Sequence, residues 1–168
     1  SKSDTKKGNT PSTKILLNEL PLKDRPFVTL VPHTTNKLFT FVGVNIDKAS
    51  ESTLDLEYQS GDLLKGVTTN IDSPIPNHFI KAIILGSCST GGKCSFDKDL
   101  KSGTTKLRLK FAGQDAINLL KGDFTFVLGQ SNLPDGKVLF EASKTSSKDN
   151  LILMNSFGLP KALDKELA

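Results

Sequence analysis

Apolar and polar positions alternate with a period of two along most of this chain, and that alternation predicts strands. Phe27-Val28-Thr29-Leu30-Val31 reads as a strand closed by Pro32. Residues 38–46 set Leu38, Thr40, Val42, Val44 and Ile46 against Phe39, Phe41, Gly43 and Asn45. Both sets are partly apolar, so one face should be core and the other partly covered. Residues 52–58 alternate more cleanly, with Leu54, Leu56 and Tyr58 facing in and Thr53, Asp55 and Glu57 facing out. Gln59-Ser60-Gly61-Asp62 turns the chain into another strand over 63–69. The most apolar run, 79–85, is rich in β-branched residues and bounded by glycine, which predicts a buried strand.

Further on, Lys101-Ser102-Gly103 reads as a turn, and 106–111 as a strand with Leu107, Leu109 and Phe111 inward. Residues 114–120 predict one or two helical turns ending at Gly122. Strands are expected over 123–128, 137–142 and 151–154, with a turn over 131–136. Residues 159–167 read as a short amphipathic helix with Pro160 near its start. Residues 15–22 are apolar but broken by Pro21, which suits a packed edge segment. Eight to ten short strands with turn signals between them predict an all-β chain, an antiparallel sandwich of jelly-roll or immunoglobulin-like type ending in a short helix.

Residues 1–14 break the pattern, because they contain no apolar side chain and should be a disordered polar tail before a single domain over 15–168. The tail resembles the polar spacer behind the lipid-carrying cysteine of bacterial lipoproteins and equally an ordinary frayed terminus. A membrane link would then run only through a lipid anchor outside this sequence. The tail also changes the meaning of the charge. Of the net +4 over 168 residues, the tail supplies +3, leaving +1 for the rest. A nearly neutral body with interspersed lysines and acids does not predict nucleic-acid binding. No apolar run reaches the roughly 18 residues of a membrane-spanning helix.

The two cysteines, Cys88 and Cys94, bracket Ser-Thr-Gly-Gly-Lys. Free thiols, metal ligands and a disulfide are the alternatives. The spacing is not a CxxC redox pair, and His33 and His78 complete no zinc pattern with them. A disulfide across a three-residue hairpin loop, Thr90-Gly91-Gly92, is the simplest reading. It places the protein in an oxidising space, the periplasm or cell exterior. The chain shows no secretory leader, so export would imply a mature or trimmed form. The absence of an Asn-x-Ser/Thr sequon is in keeping with a bacterial source.

Residues 39–67, FTFVGVNIDKASESTLDLEYQSGDLLKGV, resemble the first half of cohesin modules and their carbohydrate-binding sandwich relatives. An "F-x-V-x-V-x-I" strand leads to an "L-x-L-x-Y" strand, an acidic turn and a "Leu-x-x-x-x-Val" strand. KLRLKF over 106–111 resembles the later "L-x-L-x-F" strand. The family's aspartate after the tyrosine is Gln59 here, and the cysteine bracket is not a cohesin feature. The resemblance implies a nine-stranded jelly-roll that binds another protein, or less often a glycan, and carries over no contact residue.

Catalytic constellations are sparse. His33 and His78 are loop residues that could each act as a base beside a serine, but no GxSxG, HExxH or phosphate-binding glycine loop accompanies them. Asp97-x-Asp99 could offer oxygen ligands to calcium, with Lys98 between them and no further acids in the run. Asp47, Asp55 and Glu57 read as solubilising surface positions. A sugar platform would want Trp or Tyr; there is no Trp, and the single Tyr points inward. The expectation is a non-catalytic interaction or scaffolding module outside the cytoplasm, needing no cofactor and binding a protein partner. A carbohydrate-binding module is the alternative, and a hydrolase using a loop histidine the outside one.

Overall fold

The computed structural model describes residues 13–128 and 150–160. The strands within them are β1 (Ile15–Leu17), β2 (Phe27–Pro32), β3 (Leu38–Val44), β4 (Glu51–Ser60), β5 (Leu63–Ile71), β6 (His78–Ile84), β7 (Gly86–Cys88), β8 (Cys94–Phe96), β9 (Leu100–Lys110), β10 (Ile117–Leu128) and β11 (Asn150–Met154). One 3-10 turn, Leu22–Asp24, joins β1 to β2. The chain is all-β. The strand expected over 137–142, the turn over 131–136, nearly all of the C-terminal helix and residues 1–12 of the tail lie outside the described residues. Lys14, assigned to the tail, already contributes its carbonyl to the fold, accepting from Ile117 N at 2.9 Å.

Two principal sheets form. The larger runs β1-β10-β9-β4-β5, with β11 also on β10; the smaller runs β2-β3-β6. Its long middle strands pair antiparallel, while β1 lies parallel to β10 over Ile117–Leu119. Asn18, at a left-handed φ of 53°, closes the gap beside it. Its side-chain oxygen accepts from Lys121 N at 2.9 Å.

Period-two alternation sends one row of each strand into a shared core. Leu54, Leu56 and Tyr58 of β4, Leu107 and Leu109 of β9, and Leu120, Phe124 and Phe126 of β10 come from the larger sheet. Val28 and Leu30 of β2, Phe39 and Phe41 of β3, and Ile83 of β6 come from the smaller. Phe39 meets Phe126 across the two sheets with centroids 6.4 Å apart. Apolar area removed from water at roughly 25 cal/mol per Å² is what holds these faces together.

Four expectations need correction. Residues 117–120 are strand, not helix: β10 runs on through Gly122, in unbroken register with β9 from Ile117 to Thr125. Lys101-Ser102-Gly103 is not a turn but part of β9. Gly103 fits there because a Cβ would overlap the Glu57 carbonyl and the Phe124 ring. Ile46 does not follow the outward row of β3, because Asn45 at φ 63° reverses the chain and folds Ile46 into the core over Gly43. Most consequentially, 79–85 is no central strand. Among the described residues β6 forms an edge of the smaller sheet, where only Ile83 is buried, and Leu85 follows it into the core.

The cysteine bracket forms as expected. β7 and β8 pair Cys88 with Cys94, and the two are joined as a disulfide with Cα atoms 4.0 Å apart. Ser89 N donates to Lys93 O at 2.9 Å, leaving Thr90-Gly91-Gly92 as the loop, with Gly92 supplying a φ of 78°.

Candidate interaction surface

The two sheets turn different outer faces to water. On the larger sheet, Lys110, Arg108 and Lys106 of β9 stand beside acids of β4. Lys110 Nζ lies 3.2 Å from Glu51, Lys106 Nζ 2.8 Å from Glu57, and Arg108 pairs with Asp55. Thr68 Oγ1 of β5 donates to Asp55 at 2.7 Å, and Thr104 Oγ1 to Asp123 at 2.9 Å. Cross-strand charge pairs of this kind satisfy one another and solubilise the face. Asp55, expected to be a free surface charge, is only 9% exposed under Arg108 and Thr68.

The outer face of the smaller sheet carries no Lys, Arg, Asp or Glu. The register aligns Phe27, Val44 and His78 in one row, then Thr29, Val42 and Ile80, then Val31, Thr40 and Ala82, and finally Leu38 beside Ile84. Residues directly opposite share a face, so these eleven side chains form one surface. Ile80 is 69% exposed, Val31 50% and Ile84 44%. β-branched and aromatic residues explain why the strands form; they do not explain why the solvent side lacks charge.

The edges differ too. Leu85 N donates to Lys37 O at 2.9 Å and Asn45 N to Asn77 O at 2.8 Å. These bonds set the phase of the β3–β6 ladder: Phe79, Lys81 and Ile83 bond to β3, while the backbone N–H and C=O of His78, Ile80, Ala82 and Ile84 point away from it. Among the described residues nothing pairs with that edge. On the opposite edge the outward Val28 N is met by Ser156 Oγ at 3.3 Å.

The residues singled out from sequence are not gathered into one place. His33 lies by the β2–β3 turn, its Nδ1 3.0 Å from Thr35 Oγ1. His78 begins β6 at the other end of the same sheet, about 20 Å away by strand rise. Asp97 is committed elsewhere: Tyr58 Oη donates to it at 2.7 Å, and Lys65 Nζ lies 3.3 Å away. Lys65 supplies Asp97 with a positive partner, and the backbone carbonyl of Asp99 accepts from Gly61 N. Among the described residues no three His, Cys, Asp or Glu side chains cluster as metal ligands. Burial, then the hydrogen bond and negative charge of Asp97, push the Tyr58 phenol well above its ordinary value of 10.0, opposed by a backbone hydrogen bond from Gly86.

An open groove of about 370 Å³ crosses the larger sheet, lined by Glu57, Gln59, Thr104, Asp123 and Thr125 among others. Sequence reasoning missed the apolar face of the smaller sheet. Its signal was the absence of charge from 27–32 and 38–46, in contrast to 51–60 and 106–110. Compared with family models, curated proteins and solved structures, the chain has no significant match.

Proposed function

We propose that this chain is an antiparallel β-sandwich of jelly-roll or immunoglobulin-like type that works outside the cytoplasm as a non-catalytic interaction or scaffolding module. It binds another protein, as the strand-pattern resemblance to cohesins would imply, and we assign the contact to the outer face of the smaller sheet. The uncharged outer face carries this reading. Exposed apolar patches rimmed by polar surface are where soluble domains meet partners. The larger sheet is an internal comparison: the same fold elsewhere places ion pairs on its solvent side. The disulfide supports an oxidising compartment, because both cysteines are exposed and would be reduced in cytosol.

The test compares capture from the native organism's envelope by the wild-type chain and by Val31→Asp/Ile80→Asp. Both sites are exposed, so the variant should melt within a few degrees of wild type and lose its specific prey. An identical set of captured proteins from both chains refutes the assignment of the face. A second reading, glycan binding, rests on the groove in which Glu57, Gln59, Thr104, Asp123 and Thr125 stand beside Leu64 and Phe124, their amide, hydroxyl and carboxylate groups suiting sugar hydroxyls. A glycan array with the wild type and Gln59→Ala separates the two.

A further inference from the structure

We propose that β6 is a strand-addition site, at which an extended segment of a partner protein joins the smaller sheet as its fourth strand. The inference rests on the interaction-module reading and specifies the chemistry of the partner. Backbone groups of an edge strand form a template for another chain, and folded proteins blunt such edges with proline, bulges, inward charges or a covering loop. β6 has no proline and its register with β3 is unbroken; its one blunting device is Lys81, an inward-row charge that leaves the outward row of Ile80, Ala82 and Ile84 uncharged. Among the described residues no partner meets the outward N–H and C=O groups of His78, Ile80, Ala82 and Ile84, the same residues whose side chains lie on the apolar outer face. A docked strand therefore gains a ladder of hydrogen bonds and apolar neighbours from one set of positions.

A second copy of the chain fits less well. The outer face is three strands wide and about seven residues long, roughly 14 Å by 23 Å, or about 300 Å². Two copies face to face would bury about 600 to 700 Å², below the roughly 1,200 Å² of a stable interface. Edge to edge, the fully overlapped pairing of β6 with its own copy puts Lys81 opposite Lys81, which is destabilising. The edge at β5 turns Thr68 and Asn70 outward, and both are already hydrogen-bonded to β4 side chains. That edge borders the charged face, whereas β6 borders the uncharged one.

The ladder phase predicts the partner's sequence. Positions opposite Ile80, Ala82 and Ile84 should be apolar or β-branched, and the position opposite Lys81, on the other side of the added strand, should be Asp or Glu. The probe is a displayed library of random peptides about 12 residues long, long enough to cover all of β6, selected against the wild-type chain. Enriched peptides should alternate as described. Ala82→Pro removes an N–H that has no use within the sheet, so it should leave the melt unchanged and weaken the selected peptides at least tenfold. Ile80→Asp should weaken them similarly through the outer face, which keeps the test decisive if Ala82→Pro folds poorly.

Amide exchange on the peptide-free chain supplies the second arm. Phe79, Lys81 and Ile83 should exchange slowly, while Ile80, Ala82 and Ile84 exchange fast and become slow with peptide. Four results overturn the proposal: no alternating enrichment, binding indifferent to Ala82→Pro in a folded variant, outward amides already protected in dilute protein (a segment of the chain itself fills the edge), or protection that appears only with protein concentration (a second copy fills it). If Ile80→Asp abolishes envelope capture while Ala82→Pro does not, the interaction face stands and strand addition alone falls.

Discussion

Raising the pH past 10 should destabilise this protein through one identifiable proton. Tyr58 is the single tyrosine in a chain without tryptophan, so the near-ultraviolet tyrosinate band reports on it alone. Its ring is 2% exposed on the inner face of β4, and its hydroxyl donates to the Asp97 carboxylate at 2.7 Å. Ionisation would place an oxyanion in a buried site against a carboxylate, which is why the phenol is held well above 10.0. The sign follows from linkage. Above 10.0 the unfolded chain releases this proton while the folded chain keeps it, so the folded state binds more protons and stability falls as pH rises.

Below that value the group contributes its full stabilisation. Above it, stability should drop by about 1.4 kcal/mol for each pH unit, until the folded phenol itself begins to ionise. The lysines titrate in the same range, so the measurement is the difference between denaturant melts of the wild type and of Tyr58→Phe at stepped pH. That difference should be flat up to pH 10 and then fall at the stated slope. Asp97→Asn should lower the ionisation point without returning it to the ordinary value, because burial is the larger cause. Half-ionisation near the ordinary value in a chain whose far-ultraviolet dichroism remains native would refute the argument.

Two further predictions separate packing from charge. Asp55→Lys should destabilise by about 1–3 kcal/mol, because it strands Arg108 and the Thr68 hydroxyl in a half-covered site, whereas Glu57→Lys, on the same strand and open to water, should change the melting midpoint little; equal effects at the two would mean the cover over Asp55 is misjudged. Unreduced mass spectrometry should show the chain lighter than its reduced form by one pair of hydrogens, and Cys88→Ser/Cys94→Ser should lose at most about 2 kcal/mol for so short a loop, with alkylatable thiols in freshly prepared envelope material contradicting the bond.

What could be read from the sequence was set by where one strand's pattern is enough. Leu54, Leu56 and Tyr58, or Leu107 and Leu109, lie in strands buried on one side and charged on the other, and two-residue periodicity identifies them without tertiary information. At residues 117–120 the pattern Ile-Asn-Leu-Leu has no clean period, and only pairing with Arg108, Leu107 and their neighbours on β9 makes it strand. Gly103 reads as a turn glycine because its reason for being there, the Phe124 ring and the Glu57 carbonyl, is distant in sequence. Asp55 looked like free surface charge for the same reason: its cover, Arg108, comes from residue 53 positions later. The disulfide was legible because its two cysteines and their loop are local.

The run Phe79–Leu85 carries the larger lesson, because composition was read as burial. An apolar strand with both rows apolar can sit in the middle of a sheet, covered on both sides, or at an edge with one row in water. Nothing within those seven residues distinguishes the two; the order β2-β3-β6 does. Once the strand is known to be an edge, its sequence changes meaning. A central strand needs apolar residues in both rows for packing, but an edge strand with one solvent-facing row would be more soluble with Lys or Glu at Ile80 and Ala82. Neither residue contributes to the buried core of the chain. The outward rows of β2 and β3 repeat the pattern with Val31, Val42 and Val44, so the uncharged character belongs to the surface and not to one strand. A face that folding does not require to be apolar, beside an edge that no described residue pairs with, is what the proposed partner strand would use.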